Sequence, residues 1–135
     1  MTSQHGDFVW YELMTKDTAA ARTFYGPLLG WTFADSGMPA MQYDLISMNG
    51  TQVAGIMPLD DDMEAGGAQP GWLGYVGVND VDGSAAQARE AGARIWIAPR
   101  DIPGIGRFAF LADPQGAPLY IMRGNSEVRE LCESA

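Results

Sequence analysis

One carboxylate in this chain lies where a strand would carry it onto an apolar surface. Glu12 sits in FVWYELMT (8–15), with Phe8, Trp10 and Met14 at alternate positions. Strand side chains alternate between two faces, so these four share one face, and Val9, Tyr11 and Leu13 take the other, beneath a helix. A carboxylate among rings and thioethers is desolvated, which raises its pKa and suits a general base or a partner for a cationic ligand. The competing assignments for Glu12 are a structural salt bridge to Arg107 or Arg100, or exposure at the rim. Trp10, Tyr75 and Tyr120 offer ring faces on which a flat small molecule could stack, with core packing as their alternative. Arg107 closes the loop DIPGIGR (101–107) and is the candidate contact for an anion. The glycines of that loop lack the strand-to-helix setting of a phosphate-binding loop.

Other chemistry is poorly supplied. The one histidine, His5, precedes the first strand, and a lone imidazole there reads as a surface residue. The one cysteine, Cys132, cannot form an internal disulfide or a thiolate zinc site. Asp60, Asp61 and Asp62 are adjacent, without the ligand spacing or trailing glutamate of a calcium loop. The formal charge of −9 disfavours nucleic acid or an anionic membrane as partner. No apolar run approaches a membrane span, and MTSQHGD has neither the basic start nor the apolar stretch of a secretory leader. The expected setting is the cytoplasm.

The elements that position these residues occur twice. Asp17 and Asp80 stand 63 residues apart, each ending an apolar strand and opening an Ala-rich helix that runs to a glycine, Gly30 or Gly92. About three short strands follow each helix. The pattern predicts an α+β fold of two tandem βαβββ modules, forming curved mixed sheets with an open cup and helices on the outside. The modules fall at 8–59 and 72–123, with a linker at 60–71 and a polar tail at 124–135. In the first module the expected strands are 8–15, 31–35, 41–48 and 51–59, with Asn49-Gly50 as the hairpin turn between the last two. Its helix should end or kink just before Pro27. In the second, strand 72–78 precedes helix 81–91, capped by Asp80 or Asp82, and strands 94–98, 106–112 and 117–123 follow. Asp113-Pro114-Gln115-Gly116 is a tight turn. Neither module alone buries enough surface to be comfortably stable, so a shared core is expected.

Strand–Asp–x₆–FY–x₃–LGW (Asp17, Phe24, Tyr25, Leu29, Gly30, Trp31), the second strand–Asp–helix–Gly and the DPQG turn together resemble the vicinal oxygen chelate superfamily. That superfamily includes glyoxalase I, bleomycin- and fosfomycin-resistance proteins and extradiol dioxygenases. VWYELMTKD, PGWLGYV and RFAFLADPQGA resemble, more narrowly, glyoxalase-like proteins loosely described as hydroxylases. The resemblance covers about residues 8–123. It implies a divalent metal held by His, Glu or Gln on the first and last strand of each module. Those positions here carry Trp10, Leu73, Tyr120 and either Gly55 or Met57, so no metal or other cofactor is expected. The resulting expectation is a protein that binds a small, partly apolar molecule in the cup through Trp10, Glu12, Tyr75, Tyr120 and Arg107. The alternatives are an enzyme of the lyase, isomerase or hydroxylase type, using Glu12 as base or a displaced metal, and an interaction module without ligand. A chain with one such double module is expected to pair as a homodimer.

Overall fold

The computed structural model describes residues 5–37, 42–102 and 106–124. The elements are β1 (Phe8–Thr15), α1 (Thr18–Leu29), β2 (Thr32–Asp35), β3 (Asp44–Met48), β4 (Thr51–Pro58), α2 (Asp61–Ala65), β5 (Gly71–Gly77), α3 (Val81–Glu90), β6 (Arg94–Ile102), β7 (Gly106–Ala112) and β8 (Pro118–Gly124). This is the α+β arrangement of two βαβββ modules. The chain divides into two compact units: one is Tyr11–Trp72, the other takes Leu73 onward together with the residues up to Trp10.

In the first unit the strand order is β2-β3-β4-β1. β4 runs parallel to β1 and antiparallel to β3, and β2 runs antiparallel to β3. Leu13, Ala21, Ile46, Ala54 and Ile56 form the core between this sheet and α1, with Tyr25, Trp31, Phe33 and Val53 packed around it. Leu13 thus lies beneath the helix as its strand parity requires. Tyr11 does not; it is 51% exposed. The Asn49-Gly50 turn forms with both residues at positive φ, 52° and 83°, the hairpin geometry that Asn and Gly tolerate best.

The second unit repeats the order as β5-β8-β7-β6, with β5 and β8 parallel and the other pairs antiparallel. Its core under α3 is Val81, Ala85, Ala109, Leu111 and Ile121. The caps correspond too. Asp17 Oδ1 accepts from the Ala20 N–H at 3.0 Å, and Asp80 Oδ1 from the Gly83 N–H at 3.1 Å. Each cap satisfies an N–H that the helix itself leaves without a partner.

Four expectations need correction. α1 continues through Pro27 to Leu29. So near the C-terminus the missing proline N–H forfeits a single intrahelical bond, to the Thr23 carbonyl. Gly30, at φ 73°, then closes the helix by donating to the Gly26 carbonyl at 2.9 Å. β6 extends to Ile102, well past Ala98, because register shifts absorb the irregularity around Pro99 and β6 ends the strand order, where proline is tolerated. Residues 60–71, expected to be loop throughout, contain α2, capped by Asp60 Oδ1 on the Met63 N–H at 2.7 Å. β3 begins at Asp44, and Met41 lies outside the described residues.

Candidate functional site

The alternation of β1 turns Glu12 and Met14 away from α1, opposite to Leu13. Glu12 and Met14 are both completely buried. On β4, Gly55 is the register partner of Glu12, and Met57 is the partner of Met14. Register partners in a parallel pair project to the same face, so all four belong to one surface of the first unit.

Gly55 leaves a gap on that surface, and Tyr43 fills it. A Cβ built on Gly55 would lie 2.0 Å from the Tyr43 hydroxyl oxygen and 2.1 Å from its ring carbon. Neighbouring strands lie about 4.8 Å apart, so the phenol oxygen sits about one strand spacing from the stem of Glu12. Tyr43 is itself buried. Its direction is set by the next residue: Asp44, also buried, pairs with Arg22 of α1 and thereby holds its own side chain on the helix side. Glu12, Met14 and Met57 thus share one face of the first unit, and the Tyr43 ring closes over Gly55 on β4. Sequence reasoning reached Glu12 from strand alternation but missed Tyr43. The contact joins positions 43 and 55, and only the glycine hinted at something approaching closely.

The second unit uses its corresponding face differently. Tyr75 and Tyr120 are register partners and stack at 4.1 Å with planes 3° apart. Phe110 stacks on Tyr120 at 4.4 Å, and Trp96 meets Phe110 at 5.0 Å. Leu73, Tyr75, Phe108, Phe110, Tyr120 and Met122 are all buried. The structure therefore brings Tyr75 and Tyr120 together, with their rings turned onto each other. Trp10 is half-buried in β1. Phe8, expected among the inward residues, is 60% exposed, and its ring covers Gly74.

Arg107 lies apart from these rings. It precedes Phe108, so it projects to the α3 side of β7. There its Nε and Nη2 donate to the two carboxylate oxygens of Asp82 at 2.7 and 2.8 Å, and its Nη1 to Asp101 at 3.1 Å. These bonds hold the guanidinium proton above its ordinary range and the Asp82 carboxyl below its ordinary value of 3.8. Arg107 is thus committed to Asp82 and Asp101. Arg100 places its guanidinium carbon 5.7 Å from the Phe108 ring centroid. His5 Nδ1 accepts the Asn79 N–H at 3.0 Å, a structural bond. Residues 103–105 and Cys132 lie outside the described residues.

The model of the Glyoxalase/Bleomycin resistance protein/Dioxygenase superfamily matches residues 7–121. The chain belongs to that superfamily. Among its relatives is CFP32 of Mycobacterium tuberculosis, which bears a glyoxylase name, 32% identical over 121 residues that make up 88% of this chain and 46% of CFP32. The anthracycline biosynthesis protein DauV of Streptomyces sp. strain C5 is 33% identical over 125 residues, 84% of this chain and 46% of that protein. The chain thus spans about half the length of these relatives. Among solved structures, methylmalonyl-CoA epimerase of Mycobacterium tuberculosis superposes with a TM-score of 0.57 at 19% identity, covering 96% of this chain and 95% of the epimerase. The Mn(II)-bound glyoxalase of Novosphingobium aromaticivorans gives 0.56 at 18% identity, over 90% of this chain and 40% of the glyoxalase. These two likenesses concern the fold.

The superfamily's implied metal can be tested against the residues present. At Trp10, Gly55, Met57, Leu73 and Tyr120 the chain offers an indole, no side chain, a thioether, an isobutyl group and a stacked phenol. A divalent ion needs imidazole or carboxylate donors, and this set does not match. Among the described residues, no three His, Cys, Asp or Glu side chains gather so as to hold a metal ion. Nor is any described helix long and apolar enough to cross a membrane.

Proposed function

We propose that this superfamily member binds a small, partly apolar molecule at its first module, with Glu12 as polar anchor and no divalent ion at the usual positions. The observation that carries this reading is the complete burial of Glu12, whose register partner on β4 is Gly55, the glycine over which the Tyr43 hydroxyl closes. A carboxylate acceptor next to a hydroxyl donor can fix a ligand that carries complementary groups, while Met14 and Met57 adapt to its apolar part. The names of the relatives, a glyoxylase and an anthracycline biosynthesis protein, support a small-molecule role. The acidic composition and single cysteine support a cytoplasmic setting.

Native mass spectrometry with elemental analysis on freshly purified protein tests the reading. The expected result is far less than one metal ion per chain, with carried-over small molecules that are lost in Glu12→Gln. One equivalent of metal per chain overturns it. A second reading has a specific basis in the same pair: a carboxylate beside a phenol can take up a proton and return it, which is general base chemistry. Under that reading Glu12→Gln keeps the fold and loses turnover, whereas a pure binder shows no turnover to lose.

A further inference from the structure

β6 is the last strand in the order of the second unit, and its pairing is not regular. From Ile95, opposite Leu111, to Arg100, opposite Phe108, it advances five residues while β7 moves three. The two extra residues make bulges, which at a sheet margin re-aim side chains. The first falls between Ile95 and Ile97, at Trp96. The Trp96 ring is turned to the face away from α3, with its centroid 5.0 Å from that of Phe110 and the planes at 46°. The second bulge falls between Ile97 and Arg100. Past it, Arg100 shares that face with its register partner Phe108, its guanidinium carbon 5.7 Å from the ring centroid. Phe108, Phe110 and Tyr120 are buried, whereas Trp96 is half-buried and Arg100 exposed. The ring stack of the second unit therefore ends, at the sheet margin, in a half-exposed indole with a guanidinium beside it. The adjacent carboxylate, Asp101, is engaged on the other face, where it accepts from Arg107 at 3.1 Å. Among the described residues, Arg100 forms no ion pair.

We propose that Trp96 and Arg100 form a second ligand site, on the second unit, for a planar aromatic carboxylate. The ligand ring stacks on the indole, and its carboxylate takes the guanidinium fork. Charge selects this occupant. At a net −9 the chain repels anions over most of its surface, so a guanidinium without a carboxylate beside it is where one is drawn in. One arginine offers one planar fork, which a carboxylate fits in bidentate fashion. A dianionic phosphate would leave a second charge for the acidic chain to repel. The indole supplies a wide apolar face, and Phe110 packed against it holds its orientation. Phe110 and Phe108 are two residues apart on β7, about 7 Å, a distance that a fused bicyclic acid spans from ring to carboxylate. This site differs from that of Glu12 in its module, in the sign of its charge and in the ligand it selects.

Titration of the full chain with 2-naphthoate, followed through the indole N–H signals in two-dimensional NMR, is the test, with 2-naphthalenemethanol as the uncharged control. The expected result is a saturable shift of the Trp96 signal with a dissociation constant of about 1 mM or tighter. Trp96→Phe, which keeps a ring against Phe110, assigns that signal. Arg100→Gln changes an exposed side chain and keeps the fold. It should weaken naphthoate at least about tenfold and leave naphthalenemethanol unchanged. A Trp96 signal with no saturable shift up to roughly 10 mM naphthoate overturns the proposal. So does equal affinity for the acid and the alcohol, or a naphthoate affinity that Arg100→Gln leaves unchanged. A response that vanishes in folded Glu12→Gln places naphthoate in the first unit and overturns the proposal too. Metal content and the Glu12-dependent ligand are measured apart from this titration, so the functional reading stands or falls separately.

Discussion

The two modules share a skeleton and differ on both of its faces. Each has the strand order of its partner, an aspartate capping its helix and a small apolar core under that helix. On the face away from the helix, the first module sets Glu12 and Tyr43 around a glycine, and the second stacks rings. On the outside, α1 is apolar and aromatic, with Phe24 and Leu28 exposed, and α3 is charged. Capping and strand order rest on a few local residues, so they persist in both copies. The faces are set by single side chains, so they are where the copies part.

Truncating the stack should give the largest effect. Tyr120 is fully buried and touches Tyr75, Phe108 and Phe110. Tyr120→Ala should cost about 3–5 kcal/mol in urea unfolding. A cost near 1 kcal/mol would mean that the second module is not held by its rings. The glycines sharpen the comparison further. Gly55→Ala drives a methyl into the buried Tyr43 and should cost about 1–3 kcal/mol. Gly74→Ala also meets a ring, with Phe8 Cε1 2.5 Å from the new carbon. That ring is exposed and can swing aside, so the cost should stay below about 1 kcal/mol. Equal costs would erase the distinction.

Glu12→Gln keeps shape but removes the charge and replaces one acceptor oxygen by an N–H donor. It should change stability by about 1 kcal/mol or less while abolishing ligand-dependent thermal stabilisation. Retained ligand stabilisation would remove Glu12 from the site. The smallest effect belongs to the ion pair of the second module. Arg107 lowers the Asp82 pKa below 3.8 in the folded state, so the pair's contribution is present above the unfolded value and lost as pH falls through the lower folded one. Asp82→Asn should therefore lower stability slightly at neutral pH and flatten its decline below about pH 4, where the variant and the wild type converge. An unchanged acid limb would show the pair to be idle.

What the sequence disclosed follows from how local each cause is. Asp17, Asp80, Asn49-Gly50 and the DPQG turn act within a few residues, and all four form as read. In that turn Asp113 Oδ1 accepts the N–H groups of Gln115 and Ala117 at 2.9 and 3.0 Å. Glu12 was legible because a strand alternates. Tyr43 was not, since nothing local says that its ring crosses to β4. The direction of Arg107 was hidden for the same reason, its partners being 25 and 6 residues away. Proline misled at Pro27, because its disruption was counted as an end or kink where the chain forgoes one bond.

The Trp31 and Trp72 rings lie 5.6 Å apart with planes at 75°, and both belong to the first unit. Two indole chromophores fixed at that separation and skew couple their transitions, and a coupled pair of set handedness yields a paired positive and negative band in circular dichroism. Trp10 and Trp96, grouped with the second unit, stand outside that pair. The couplet thus offers an optical readout of the integrity of the unit Tyr11–Trp72, followed without any label as the chain unfolds.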